Sequence, residues 1–187
     1  MQNFDYYNPT RIVFGQDRLS ELNNLVPQNA RVLVLFGGGS VKRFGTLDSV
    51  LSNLGDRTVF EFGGIEPNPQ FDTLMKAVEI VRAEKIDFLL AVGGGSVMDG
   101  TKFVASAAPY KGNASDLLTH GFGPLPISSS IALGTVATLP ATGSEMNKGA
   151  VVSYNGGKYP VMSELNYPKF SILDPSVTFT LPKTQVA

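Results

Sequence analysis

The sequence predicts an α/β fold in which helices cover both faces of a parallel β-sheet and one β-hairpin is added. Short continuous apolar segments alternate along the chain with longer segments that repeat apolar residues at helical spacing. Two of the short segments, 32–36 and 88–92, run directly into the same four residues, Gly-Gly-Gly-Ser. Because strands covered on both faces are apolar along their whole length, both segments are predicted to be buried parallel strands.

The remaining elements follow from the same alternation. Helical spacing of apolar residues predicts helices at 17–26, 40–54, 71–81 and 98–108. Sheet strands are predicted at 11–14, 31–36, 57–62, 87–92, 127–139 and 171–173. Strands 150–154 and 158–162 flank Gly156-Gly157 and are expected to form the hairpin. The two prolines around Asn68 are expected to keep the loop 63–69 extended.

Composition excludes several classes of function. The 187 residues carry a net charge of −1, so no basic surface indicates a nucleic-acid partner. No apolar segment reaches the length of a membrane span and no secretory leader pattern opens the sequence, so we expect a cytoplasmic protein without a membrane partner. There is no cysteine and only one histidine, His120, so a histidine-based metal site cannot be completed from this sequence alone.

Both Gly-Gly-Gly-Ser segments have the layout of a phosphate-binding turn. Glycines let backbone N–H groups approach an anion, and the helix that follows adds unsatisfied donors and a favourable dipole. A tight turn without a ligand is the alternative, although one glycine would suffice for it. Parallel strands place both turns at one sheet edge. Ser96 and Asp99 fit a capping box at the helix start, and Asp99 also suits a position beside a nicotinamide.

The residues after the first turn favour NADP over NAD. Many dinucleotide sites place an acidic residue there to hold the ribose 2′-hydroxyl, but no Asp or Glu occurs between Gly37 and Asp48. Ser40, Lys42 and Arg43 instead suit a 2′-phosphate. The alternative is that both cations only form the solvated face of a helix. Since the G-x-G-x-x-G pattern is absent, the site is not of the ordinary dinucleotide-binding type.

A second polar segment, 138–147, follows a predicted strand. Its small polar side chains are candidates for hydrogen bonds to a cofactor, while Thr142 and Glu145 also fit a simple capping box. Lys158 in the hairpin is a candidate contact for a ribose or phosphate, with an ordinary surface lysine as the alternative.

Taken together, these segments resemble the iron-containing (group III) alcohol dehydrogenases, in the branch of NADPH-dependent aldehyde reductases and butanol dehydrogenases. The resemblance runs from 8–15 through the loop 63–69, the turn 91–102 and the segment 138–147 to 173–175. It implies a Rossmann-like parallel sheet with flanking helices plus a β-hairpin, as in the N-terminal domain of dehydroquinate synthase. The cofactor-binding residues it implies are Gly38, Gly39, Ser40, Asn68, Gly94, Gly95, Ser96, Asp99, Thr138, Leu139, Thr142, Asn147, Lys158, Thr180 and Leu181.

The resemblance also implies the activity of the whole protein, which is the interconversion of alcohols and aldehydes by NADP(H) with the help of a divalent metal. Residues 1–187 are expected to be the N-terminal dinucleotide-binding domain, without catalytic or metal-binding residues of their own. The metal ligands are expected in a helical C-terminal domain beyond Ala187, and the whole protein is expected to be a homodimer. The alternatives are an NAD- and zinc-dependent relative of glycerol dehydrogenase and a stand-alone nucleotide-binding module without catalysis.

Overall fold

The computed structural model describes residues 3–185 and contains a six-stranded parallel sheet and a separate antiparallel hairpin. The sheet strands are β1 (Arg11–Phe14), β2 (Arg31–Phe36), β3 (Thr58–Phe62), β4 (Phe88–Gly93), β5 (Ala132–Ala137) and β8 (Phe170–Leu173). Their order is β1-β8-β5-β4-β2-β3, and every neighbouring pair is parallel. The hairpin consists of β6 (Gly149–Tyr154) and β7 (Gly157–Met162). The predicted α/β class is therefore confirmed.

Helices cover both faces of the sheet, as the uninterrupted apolar strands require. They are α1 (Leu22–Leu25), α2 (Ser40–Arg43), α3 (Thr46–Asn53), α4 (Phe71–Ala83) and α5 (Gly95–Ala107). Successive residues of β4 point into different cores: Leu89 and Ala91 pack with α4, α5 and the hairpin, whereas Leu90 and Val92 pack with α1 to α3. Within residues 3–185 no helix is long and apolar enough to span a bilayer.

The order in which strands are added to the sheet reverses at β2, which lies between β3 and β4. After β2 the chain crosses one face of the sheet through α2 and α3 and forms β3 at one edge of β2. It then crosses the opposite face through α4 and forms β4 at the other edge of β2. Phe36 pairs with Val92 at the carboxyl ends of these two strands. The two glycine turns, 37–39 and 93–95, therefore leave neighbouring strands at one edge, where open α/β sheets form their binding crevices.

Three of the predicted elements are wrong in detail. The helix expected at 40–54 is divided into α2 and α3 because Gly45 adopts a left-handed backbone, φ +75°, and ends the first turn. The segment 17–26 likewise consists of a 3₁₀ turn at Arg18–Glu21 followed by α1. The strand expected at 127–139 is restricted to β5.

Two turn predictions also fail. Asn68 is not extended but left-handed, with φ +59°, a conformation that asparagine tolerates better than most residues. The hairpin turn consists of Asn155 and Gly156, both with positive φ, while Gly157 belongs to β7 and pairs with Tyr154. Asn-Gly is the dipeptide that a two-residue turn of this type favours.

Arg57, which directly precedes β3, connects the sheet to the ends of α1 and α3. Its buried guanidinium donates hydrogen bonds to the main-chain carbonyls of four residues, Asn23, Val26, Pro27 and Leu54, at 2.6–3.0 Å. We expect Arg57→Met to lower the free energy of unfolding by about 3 kcal/mol, because it leaves buried carbonyls without donors. Urea denaturation tests this, with the exposed Arg11→Met as control; equal stability of the two variants would contradict it.

Candidate functional site

The turn between β4 and α5 forms one side of the site. Gly94 is the N-terminal cap of α5, and no side chain caps the helix. The capping box predicted for Ser96 and Asp99 is therefore wrong, because the helix begins at Gly95 and already includes Ser96. The Ser96 hydroxyl instead accepts a hydrogen bond from the main-chain N–H of Asn68 at 3.3 Å. Asn68 is thereby placed directly beside this turn.

The end of β5 covers the same turn from the other side. The main-chain N–H of Thr138 donates to Gly93 O at 3.1 Å, which holds the two strand ends together. A Cβ atom on Gly94 would lie 3.3 Å from the Leu139 side chain. On Gly95 it would lie only 2.4 Å from Thr142 Oγ1. Glycine at 95 is therefore a requirement of the packing between α5 and the segment after β5.

A cleft of about 350 Å³ lies beside the first glycine turn. It brings together four residues predicted to bind the cofactor, which come from distant parts of the sequence: Ser40, Thr138, Thr180 and Leu181. The other lining residues are Val41, Arg43, Phe44, Thr46, Val177 and Pro182. The cleft thus extends from the carboxyl edge of the sheet along α2 to the segment that follows β8.

The turn beside this cleft has room for a ligand. A Cβ atom on Gly38 or Gly39 would meet no atom within 4 Å, so these glycines are not required by packing inside the chain. Gly39 has φ +101°, a backbone that other residues rarely adopt. A phosphate group needs open space next to backbone N–H groups, so this turn fits a phosphate of a dinucleotide.

The two cations near the turn have different surroundings. Lys42 Nζ lies 3.0 Å from Glu61 Oε2 and 4.9 Å from the centre of the Phe36 ring. Arg43 lines the cleft, and its guanidinium lies 4.6 Å from the centre of the Phe44 ring. Within residues 3–185, Arg43 has no carboxylate within ion-pairing distance. Arg43 is therefore the better placed of the two to meet an anion in the cleft.

A buried polar network lies under the segment 142–149. Asp99 accepts hydrogen bonds from Ser144 Oγ at 2.6 Å and from the Val151 N–H at 2.9 Å. The pKa of the Asp99 carboxyl is raised, because the effect of burial outweighs that of these two bonds and of the Lys102 charge, which lower it. Lys102 donates to Ser144 Oγ at 3.0 Å and to Asn147 Oδ1 at 2.9 Å. The network connects α5 to the segment after β5 and to β6.

The remaining predicted residues lie around this network. Thr142 Oγ1 accepts from the Ser144 N–H at 3.2 Å, and Gly143 caps the short turn that follows, so the capping box predicted for Thr142 and Glu145 is wrong. The amide of Asn147 donates to Gly143 O. Lys158 is exposed and pairs in the hairpin with Ser153. The main-chain N–H of Ser153 donates to Pro69 O at 2.8 Å.

Sequence reasoning missed Lys102 and Ser144 as members of the site. The signal for Lys102 was present, since a lysine three residues after Asp99 lies on the same face of an otherwise small and apolar helix. Ser144 carried no such signal, because its role depends on a contact across 42 residues of sequence.

No metal centre is formed by the described residues. Within residues 3–185 no three His, Asp, Glu or Cys side chains come together as possible ligands, and His120 is exposed. The residues present therefore do not fit the divalent metal implied by the sequence resemblance, and no metal-dependent step is assigned to them.

Fold and site together define a doubly wound α/β domain with its cleft at the point where the strand order reverses. The sequence model of one family, "iron-containing alcohol dehydrogenase", matches residues 9–175, and the chain belongs to that family.

Individual relatives agree with this assignment. The NADPH-dependent aldehyde reductase YqhD of Escherichia coli is 52% identical over the whole chain, and its crystal structure superposes with a TM-score of 0.93 over 98% of the chain. A probable NADH-dependent butanol dehydrogenase of Bacillus subtilis is 48% identical over 98% of the chain. The sulfoacetaldehyde reductase of Bifidobacterium kashiwanohense, crystallised with NAD⁺, is 25% identical over 99% of the chain, with a TM-score of 0.89. The chain spans about half the length of these relatives, 48–50%.

Proposed function

We propose that this chain binds NADP(H) in the crevice at the carboxyl ends of β2 and β4, as the cofactor-binding part of an alcohol or aldehyde oxidoreductase. The observation that carries the proposal is the juxtaposition of two glycine turns on neighbouring strands, beside a cleft that four predicted cofactor-binding residues line. The reversal of strand order at this point is the feature that opens a crevice in doubly wound sheets.

Each part of the crevice suits one part of the cofactor. Gly94, Gly95 and Ser96 begin α5, and their N–H groups suit the diphosphate. The open turn 38–40 suits the 2′-phosphate of the adenosine half. Asp99, one helical turn after Ser96, and Asn147 are proposed to face the nicotinamide end of the cofactor. The chemistry that a bound NADPH supplies is hydride donation to a carbonyl carbon.

The activity of the whole protein is proposed from its relatives. The E. coli relative is an aldehyde reductase and the B. subtilis relative a probable butanol dehydrogenase, which supports a small aldehyde or alcohol as substrate. The divalent metal is proposed to bind in the separate helical domain that the family resemblance implies for the whole protein. A homodimer, a cytoplasmic location, and the absence of nucleic-acid and membrane partners remain predictions.

The cofactor proposal has a direct test. We expect calorimetric titration of the 187-residue chain to give saturable binding of NADPH at least about tenfold tighter than NADH, because the 2′-phosphate gains charge-assisted hydrogen bonds. Tighter binding of NADH would support the NAD-dependent alternative. Binding of neither nucleotide at millimolar concentration would contradict a cofactor site formed by this chain.

A further inference from the structure

Lys102 is a fully buried charged side chain, with 0% of its surface exposed. Its ammonium donates to three acceptors: Ser144 Oγ at 3.0 Å, Asn147 Oδ1 at 2.9 Å and Gly149 O at 2.8 Å. Apart from Asp99, the positions of α5 around Lys102 are apolar or small. A buried charge is costly unless its hydrogen bonds are made, and here all three donors of the ammonium have acceptors.

The three acceptors belong to the segment that covers the glycine turn. Ser144 also donates to Asp99 and follows Thr142, which contacts Gly95. Asn147 Oδ1 accepts from Lys102 and from the Gly149 N–H. One ammonium therefore fixes the side chains of Ser144 and Asn147 in the segment that covers the glycine turn.

We propose that Lys102 is the positioning residue of the cofactor site, whose charged ammonium holds Asp99, through Ser144, and Asn147 in the geometry that receives the nicotinamide end of NADPH. The inference rests on the proposed cofactor function. It adds that the geometry of the site depends on the protonation of a residue that touches no cofactor atom itself.

The charge of Lys102 is essential to this arrangement because only the ammonium has three donors for three acceptors. A neutral amine has two donors and leaves one of the acceptors without a partner. Burial lowers the pKa of Lys102 to about 8, and the negative charges of Asp99 and Glu145 oppose that shift. These two carboxylates are the charged groups that face the ammonium, one from α5 and one from the turn after Gly143.

Binding and folding are expected to respond to this titration in opposite directions. The unfolded chain binds more protons than the folded chain between pH 8 and 10.5, so the Lys102 contribution to the free energy of unfolding rises with pH through this window. NADPH affinity falls over the same window because the positioning bonds are lost. A lysine that served only for stability would produce the first effect without the second.

The first experiment compares Lys102→Met with Arg82→Met. Arg82 donates three hydrogen bonds to the other end of α5, to the carbonyls of Ala107, Ala108 and Tyr110, and is the matched control. We expect Lys102→Met to weaken NADPH binding about tenfold at pH 7, and Arg82→Met to lower the melting temperature without changing NADPH affinity. Equal NADPH affinity of Lys102→Met and wild type would overturn the proposal.

The second experiment uses the wild-type chain alone. NADPH affinity of the wild-type chain is measured by calorimetry from pH 7 to 9.5, where ionisation of the cofactor phosphates is largely complete. With a Lys102 pKa of about 8 and a neutral form that binds tenfold more weakly, NADPH affinity falls about fivefold between pH 7 and 9. A flat wild-type profile would overturn the role of Lys102. A wild-type chain that binds no NADPH at any pH would instead overturn the proposed function, and this inference with it.

Discussion

Replacing Gly38 by alanine is expected to leave the free energy of unfolding almost unchanged and to weaken NADPH binding at least about tenfold. The added Cβ atom would meet no protein atom within 4 Å, and Gly38 does not have the positive φ that disfavours other residues. The open space that the methyl group would fill is the space against which we place the adenosine phosphate. The variant therefore separates the requirement for a ligand from the requirement for folding.

Gly95→Ala provides the matched contrast. Its Cβ atom would lie 2.4 Å from Thr142 Oγ1 and 2.6 Å from Thr142 Cγ2, so the segment after β5 must shift. We expect this variant to lose stability by about 1–3 kcal/mol, as overpacked sites do, and to bind NADPH poorly as well. Urea denaturation and calorimetry measure both quantities on each variant. If Gly38→Ala bound NADPH like wild type, the first glycine turn would be only a turn.

Much of the fold was predictable because its signals are local. Continuous apolar segments predicted the buried parallel strands, and the repeated glycine turns predicted that β2 and β4 would end at the same edge. The break at Gly45 escaped prediction because Val41 and Leu47, on opposite sides of it, still bury their side chains in one core. The hydrophobic pattern was kept across a change of direction, so its period alone could not reveal the break.

The candidate site was predictable where backbone geometry decides it and not where distant side chains do. The turns 38–40 and 94–96 follow from glycine, serine and helix starts. Asp99 was expected to cap its own helix, but it bonds instead to Ser144 and to the Val151 N–H, 45 and 52 residues away. The sequence places these groups on separate elements, and only the packing of the hairpin against α5 brings them together.

The surroundings of Lys42 and Arg43 lead to the second large prediction, because equal charges at adjacent positions are expected to contribute differently. Arg43→Gln is expected to weaken NADPH binding about ten- to a hundredfold and to leave NADH binding almost unchanged, since a charged donor to a phosphate is worth about 1.5–3 kcal/mol. Arg43 lines the cleft beside Ser40, and its planar guanidinium can donate two parallel hydrogen bonds to one phosphate.

Lys42→Gln is the control, because Lys42 is already paired with Glu61 at 3.0 Å and both side chains are about half exposed, 55% and 40%. An exposed pair of this kind contributes at most about 1 kcal/mol, so its loss is expected to change NADPH affinity by no more than about fivefold. Calorimetry with NADPH and NADH at two salt concentrations measures the difference. Equal losses in both variants would mean that the 2′-phosphate meets only a diffuse positive field. A selective loss in Arg43→Gln would mean that this one side chain distinguishes NADPH from NADH. The ratio of NADPH affinity to NADH affinity would then fall with added salt in the wild type but not in the variant.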